Sequence, residues 1–350
     1  MKLILTFDYE LFGDGTGDVF DQMIEPTKAI LDVCEQQDIK TTIFFEVLEY
    51  LKIKEEWENG NKMGYNKNPV QAIDNQIQRA AVFGHDIQLH LHPQWVGASW
   101  QEDSWKLNLE NWRLGDFSYP GYTIEKLLKE GKNAIEKLVQ KVVPDYQCTI
   151  LRAGGYNIMP SREVYEAMKN VGLQADSSVY PGGYEHGSLS RYDYREVPLI
   201  KGIWWGARED LRNEGNTKEI MEIPVFALPQ RRIHKLFNID KIKFLIFEKE
   251  QNISSVSREK IQKRSLGQKL EFLLGKEAFT WDFCLFSTHL HKAFFRYIEH
   301  NLLQERKIFV IIGHPKSYKS DRSLKALISL ALERKFSFIT LKEAYENFVR

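Results

Sequence analysis

Cysteine is nearly missing from this chain: Cys34, Cys148 and Cys284 are the only three in 350 residues, and they lie far apart. That argues against a disulfide framework and for buried free thiols in a reducing compartment. Charge of one sign is missing as well. Forty-eight Lys and Arg balance 48 Asp and Glu, which excludes a nucleic-acid binder whose affinity rests on neutralising phosphates. No apolar run approaches the roughly 20 residues that span a bilayer. Met1 leads straight into an apolar run, with no basic region and cleavable apolar segment before it, so a cytoplasmic location is expected. Internal repeats and low-complexity tracts are also lacking.

What the chain does have is a concentration of histidine. Three of its nine histidines fall within Gly84-His85-Asp86-Ile87-Gln88-Leu89-His90-Leu91-His92-Pro93. In a strand, residues i and i+2 point to the same side, so His90 and His92 can aim both imidazoles at one point, as a divalent metal requires. A pair of hydrogen-bonded histidines at a strand end would show the same spacing. The first apolar run, Lys2 to Phe7, ends in Asp8-Tyr9-Glu10, two carboxylates that again share a face. Like charges so close need a cation or a shared proton. Three further runs end similarly: Gln147–Leu151 in Arg152-Ala153-Gly154-Gly155-Tyr156, Leu173–Ala175 in Asp176-Ser177-Ser178, and Ile308–Ile312 in Gly313-His314-Pro315. Titratable groups at five successive strand ends are the arrangement by which α/β barrels assemble sites on one face.

Helical spacing fills the gaps between these runs. Pro26–Gln37, Pro69–Phe83, Thr123–Val142 and Ser320–Lys335 carry amphipathic stripes, and Phe336–Thr340 reads as a closing strand. The alternation predicts an α/β fold: a distorted or incomplete (β/α) barrel of about seven parallel strands, forming one domain over residues 1–350. Two insertions interrupt it. The first, at about 96–122, is aromatic-rich, holding Trp100, Trp105, Trp112, Phe117, Tyr119 and Tyr122. It reads either as a sugar-binding wall or as packing onto the barrel. The second, at about 229–305, carries Arg231-Arg232-Ile233-His234-Lys235 and Lys241-Ile242-Lys243. Its stretch 230–247 suits either weak contact with an anionic membrane surface or a solvated helical lid. His289 and His291 repeat the i, i+2 spacing inside a helical pattern, where they do not share a face, so no second metal site is expected there.

The ordered motifs Thr6-Phe7-Asp8-Tyr9-Glu10, Gly84-His85-Asp86-Ile87…His90-Leu91-His92-Pro93, Arg152-Ala153-Gly154-Gly155-Tyr156 and Ile311-Ile312-Gly313-His314-Pro315 resemble the NodB-homology polysaccharide deacetylases, carbohydrate esterase family 4. They do so as a divergent variant. Asp-x-Glu replaces the family's Asp-Asp, and a strand-like His-x-His replaces its helical His-x-x-x-His. The resemblance covers residues 6 to 314. It implies Asp8 as catalytic base, Arg152 as its partner, His314 as general acid and Asp176 as the group that tunes His314. It further implies one divalent metal on Glu10, His90 and His92, with zinc favoured by the ligand types.

The expected activity is therefore a metal-dependent hydrolase that removes an acetyl group from an N-acetylated sugar or glycoconjugate, in surface polysaccharide biosynthesis. Two alternatives stay open. One is a catalytically inactive carbohydrate-binding barrel; the other is a glycosidase using Asp8 and Glu10 as its two carboxylates.

Overall fold

A computed structural model of the chain describes residues 1–231 and 276–349. Its centre is the run Lys2–Tyr9 (β1), almost wholly buried as a continuous apolar sequence between two neighbouring strands must be. Thr42–Glu46 (β2), Asp86–Leu91 (β3), Ile150–Ala153 (β4) and Ala175–Asp176 (β5) follow in parallel on one side. A hairpin, Trp204–Ala207 (β6) and Asp210–Glu214 (β7), pairs antiparallel onto Met221–Glu222 (β8), and β8 runs parallel to β5. On the other side of β1 lie Ile308–Ile311 (β9) and, below it, Ser337–Phe338 (β10).

The sheet therefore reads β7-β6-β8-β5-β4-β3-β2-β1-β9, with β10 branching from β1. It curls until its ends nearly meet. Beyond β8 the chain bridges to β9 at Val225–Val310, and Trp281–Phe283 brackets Ile312 through an Asp282–Ile312 bridge. Single bridges instead of ladders close this seam, which makes the expected incomplete barrel of parallel strands.

Helices cover the outside. Glu25–Glu35 (α1) buries Ile30, Leu31, Val33 and Cys34. Val47–Glu58 (α2) follows β2 without a loop, Glu46 capping it through the amide of Leu48. Pro69–Val82 (α3) starts on an Asn68 cap and stops before Gly84, whose φ of +85° suits the residue after a helix end. Ile124–Val139 (α4), Arg162–Val171 (α5), Thr288–Asn301 (α6), Arg322–Glu333 (α7) and Leu341–Val349 (α8) complete the layer. The expected helices are all present, while α2, α5 and α8 add three. His291 sits inside α6, bonded to Trp281 and Ser323, away from any acid cluster.

Most of the aromatic insertion packs on itself: Trp105 lies 5.1 Å from Trp95 and 5.4 Å from Trp100, edge to face. Only Trp112 comes near the strand ends, 6.4 Å from the His92 ring. The basic stretch 230–247 lies outside the described residues apart from Gln230 and Arg231, which belong to a strand paired with Lys276–Thr280.

One buried cation holds the closing seam. Arg306 is 1% exposed, stacks over Phe226 and Phe309, and donates to the carbonyls of Ile308, Leu199, Lys201 and Pro224. Among the described residues no carboxylate pairs with it, so its charge is met by backbone dipoles from three segments and by two aromatic faces. Arg306→Ala would strand those carbonyls, each costing about 1–3 kcal/mol when buried and unpaired. Urea unfolding should show a loss of about 3 kcal/mol or more, whereas an unchanged midpoint would mean that the seam closes without it.

Candidate active site

The parallel strands all end on one face, and their ends bring the acids and histidines together. Thr6 and Asp8 share the inner face of β1, as i and i+2 must. Arg152, at the end of β4, reaches across to both. Its Nη1 lies 2.7 Å from Asp8 Oδ1, its Nη2 donates to Thr6 Oγ1 at 2.9 Å, and its Nε donates to the Ser177 carbonyl at 3.0 Å. The guanidinium also lies 3.9 Å from the Phe44 ring centroid. Burial works against a charged Asp8, but Arg152, then His90 and His314, outweigh it and hold the carboxyl below its usual pKa. Oδ2, the oxygen that Arg152 leaves free, faces His90 Nε2 at 3.9 Å and His314 Nε2 at 3.6 Å.

Glu10 is divided in the same way. Oε1 takes an ion pair from Lys316 Nζ at 2.6 Å, and Lys316 also donates to the Leu11 carbonyl. Oε2 faces His90 Nε2 and His92 Nδ1, each at 3.2 Å. Burial opposes its charge, yet Lys316 and the two histidines keep it well below the carboxylate range. His92 packs flat on Gly154, where any Cβ would fall 2.3 Å from the His92 ring, so glycine is required there. On its other side His92 Nδ1 meets Glu46 Oε2 at 2.8 Å.

His90 gives the clearest electrostatic sign. Its Nδ1 contacts the Arg152 carbonyl at 2.9 Å, and because a carbonyl only accepts, that nitrogen carries the proton. Nε2 therefore points its lone pair at Asp8 and Glu10, and it makes no well-aligned hydrogen bond among the described residues. A second proton or a metal ion has to sit there. Without a metal, burial is overcome by the two carboxylates and the His90 pKa rises to about 9.

Ligand atoms of Glu10, Glu46, His90 and His92 all lie within 4.8 Å of one another, which fits the mixed N and O set of a zinc-type site. Asp8, Glu10, Glu46 and Asp282 gather here with two permanent cations among the described residues, Arg152 and Lys316, which leaves negative charge for protonated histidines or a metal ion to balance. Glu49, behind them, stays out of this balance. Burial, then Glu46 and Glu10, raise its pKa far enough to keep it protonated, and both its oxygens receive the Leu11 amide.

His314 follows β9 and forms the open side: 23% of its side chain is exposed, against 5% for Asp8 and 8% for Glu10. Its Nδ1 lies 3.3 Å from Asp282 Oδ2. Burial pulls its pKa down, but Asp282 and Asp8 more than offset this and raise it. This corrects the expectation for Asp176. That residue points into the wall behind Arg152, bonded to the Ser178 amide and hydroxyl, with Glu222 opposite it on β8. Burial raises both acids, and two such neighbours are best satisfied by sharing a proton. The partner of His314 is Asp282, brought in by the single bridge to Ile312.

Asp8, Glu10, His90, His92, Arg152 and His314 are thus gathered in one cluster. Sequence reasoning missed Glu46, Glu49, Asp282 and Lys316. Glu46 carried a partial signal, an acid interrupting the apolar run Thr42–Leu48; Trp281-Asp282 and Lys316 had none as strong.

No family model matches the chain, and no curated protein matches it. Among solved structures it is similar to a Mycobacterium smegmatis protein named as a polysaccharide deacetylase, at 12% identity and a TM-score of 0.46, over 100% of this chain and 90% of that one. It is also similar to the Puue allantoinase, at 12% identity and a TM-score of 0.46, over 98% of this chain and 88% of that one. A family 4 acetyl xylan esterase from Clostridium thermocellum, in complex with a cobalt ion, aligns at 10% identity and a TM-score of 0.36, over 99% of this chain and 91% of that one. Likeness at this level assigns no activity; what the chain does has to be argued from its own side chains.

Proposed function

We propose that the chain is a metal-dependent carbohydrate deacetylase of the NodB-homology type, acting on an N-acetylated sugar or glycoconjugate. The observation that carries this reading is the pairing of a carboxylate held ionised, Asp8 on Arg152, with a histidine held toward its protonated form, His314 on Asp282, across the Glu10–His90–His92 cluster. Amide hydrolysis needs one group to take a proton from water and another to give a proton to the departing amine.

Glu10, His90 and His92 would hold one divalent ion, zinc by ligand type, with Glu46 within reach as a fourth donor. When bound, such an ion supplies Lewis acidity toward a carbonyl and a nearby water. Asp8 then accepts the water's proton at Oδ2, the oxygen Arg152 leaves free. Arg152 keeps Oδ1 occupied, so the base cannot turn away. His314 donates from Nε2 to the amine, and Asp282 on Nδ1 fixes the ring and stabilises the imidazolium. Without that proton the tetrahedral adduct would expel water again instead of amine.

The glycosidase alternative fits less well. Asp8 and Glu10 are both held ionised by buried cations, so neither has a proton to give to a glycosidic oxygen. The biosynthetic setting and a cytoplasmic location remain part of this proposal, as does a single barrel domain.

Purified protein should carry about one divalent ion, and His90→Ala should lose it, since removing one ligand strips most of the affinity. Full occupancy in His90→Ala by metal analysis would refute the ligand set. Asp8→Asn should keep the metal yet release almost no acetate from N-acetylated sugars, whereas Glu10→Gln should lose both; exchanged phenotypes would reverse the roles. His314→Ala should lower amide turnover about 10²–10⁴-fold, a usual range for general acids, while sparing much of the hydrolysis of an aryl acetate, whose leaving group departs unprotonated. Asp282→Asn should act in the same direction and more weakly. Equal losses on both substrates would assign His314 to binding instead.

A further inference from the structure

Two hydrogen-bond donors beside the site are buried and unused. The Tyr156 hydroxyl and the Trp112 indole N–H have no hydrogen-bond partner among the described residues. Leaving a donor in this state costs free energy, so a pair of them calls for an explanation.

Tyr156 ends the turn Gly154–Tyr156 after β4 and has φ +63°, a left-handed conformation that a bulky side chain rarely adopts. Backbone held in this way clusters at ligand sites. Its ring is wedged against Tyr180 at 5.1 Å and Tyr192 at 6.4 Å, and the Tyr194 hydroxyl holds its carbonyl, so the hydroxyl has a fixed aim. The turn leaves β4 just after Arg152, so Tyr156 stands at the strand end that carries the Arg152–Asp8 pair. Burial first, then Asp8, raises its pKa well above that of a free phenol, so it remains a donor at neutral pH.

Trp112 approaches the same turn from the opposite flank. Its ring lies 6.4 Å from His92, and its Nε1 is 3.5 Å from where a Cβ on Gly155 would sit. Indole N–H can only donate.

We propose that Tyr156 and Trp112 form a two-donor subsite for an acylated sugar, Tyr156 binding the acyl oxygen and Trp112 a ring hydroxyl. This rests on the reading of the site as one that handles an N-acetylated sugar. It adds the group that distinguishes the acetylated form from the free amine. A site whose buried donor loses its acceptor rejects the analogue lacking it, because the donor is then left unpaired.

The test uses calorimetry with N,N′-diacetylchitobiose and its fully de-N-acetylated counterpart, in an Asp8→Asn background that prevents turnover. Tyr156→Phe should weaken the acetylated sugar about tenfold, the effect of one lost hydrogen bond, and leave the free amine unchanged. Trp112→Phe should weaken both sugars to a similar degree. Metal content and melting temperature should stay as in the parent. Unaltered binding in either variant overturns the subsite, as does Tyr156→Phe weakening both sugars equally, the signature of a structural role. Acetate release by the wild type together with unaltered Tyr156→Phe binding would sink this inference alone. No binding of either sugar and no acetate release from the wild type would sink the deacetylase reading along with it.

Discussion

The interaction on which the site depends is the buried contact between Arg152 and Asp8. Moving a carboxylate into the mouth of a barrel costs several kcal/mol in desolvation, and only good geometry with further hydrogen bonds offsets it. Arg152 supplies that geometry by spreading Nε, Nη1 and Nη2 over separate strands: Asp8 and Thr6 on β1, and the Ser177 carbonyl just past β5. Thr6, which accepts from Arg152, donates its own hydroxyl to the Ile311 carbonyl on β9. One guanidinium therefore ties β4 to strands on both sides of it, and the same bond that keeps Asp8 ionised sets the spacing of the strand ends. A lysine could not replace it, since a single ammonium lacks the planar fork that reaches these acceptors together.

The second constraint is how four acids are kept apart in one small volume. Three answers are used. Asp8 and Glu10 split their two oxygens between a permanent cation and the histidines, so each presents one committed and one available oxygen. Glu49 keeps its proton and serves the backbone of Leu11. Asp282 pairs with His314. Lys316 matters more than its position two residues past His314 suggests. It joins the β1 end to the loop after β9, and it keeps Glu10 charged while leaving Oε2 free toward His90 and His92.

Much of this was legible because the same rule recurs along the chain: an apolar run that stops at a titratable residue. The rule finds Asp8, Glu10, His90, His92, Arg152 and His314, and parallel strands then bring them to one face. It also selects Asp176, which ends a run like the others. Yet β5 is only two residues long, and its side chain turns into the wall toward Glu222 instead of the mouth. Asp282 escaped because the strand before it, Lys276–Thr280, opens on two charged residues and gives no continuous apolar run; one bridge to Ile312 brings it in, and such pairing leaves no periodic trace. Glu46 escaped for the reverse reason. The apolar run of β2 continues through Val47 and Leu48 into α2, so the acid looks like an interruption and not an end.

Glu46 also shows why the order of the histidines matters. In a helical His-x-x-x-His the two rings approach a metal from successive turns. In the strand-like His-x-His here they stand side by side, 4.8 Å apart and perpendicular. His90 is then oriented by the Arg152 carbonyl at Nδ1 and turns Nε2 toward Glu10, whereas His92 lies against Gly154 and turns Nδ1 toward Glu10 and Glu46. The two rings thus present opposite nitrogens to the same point. That orientation turns His92 toward β2, where Glu46, the register partner of His90, meets its Nδ1.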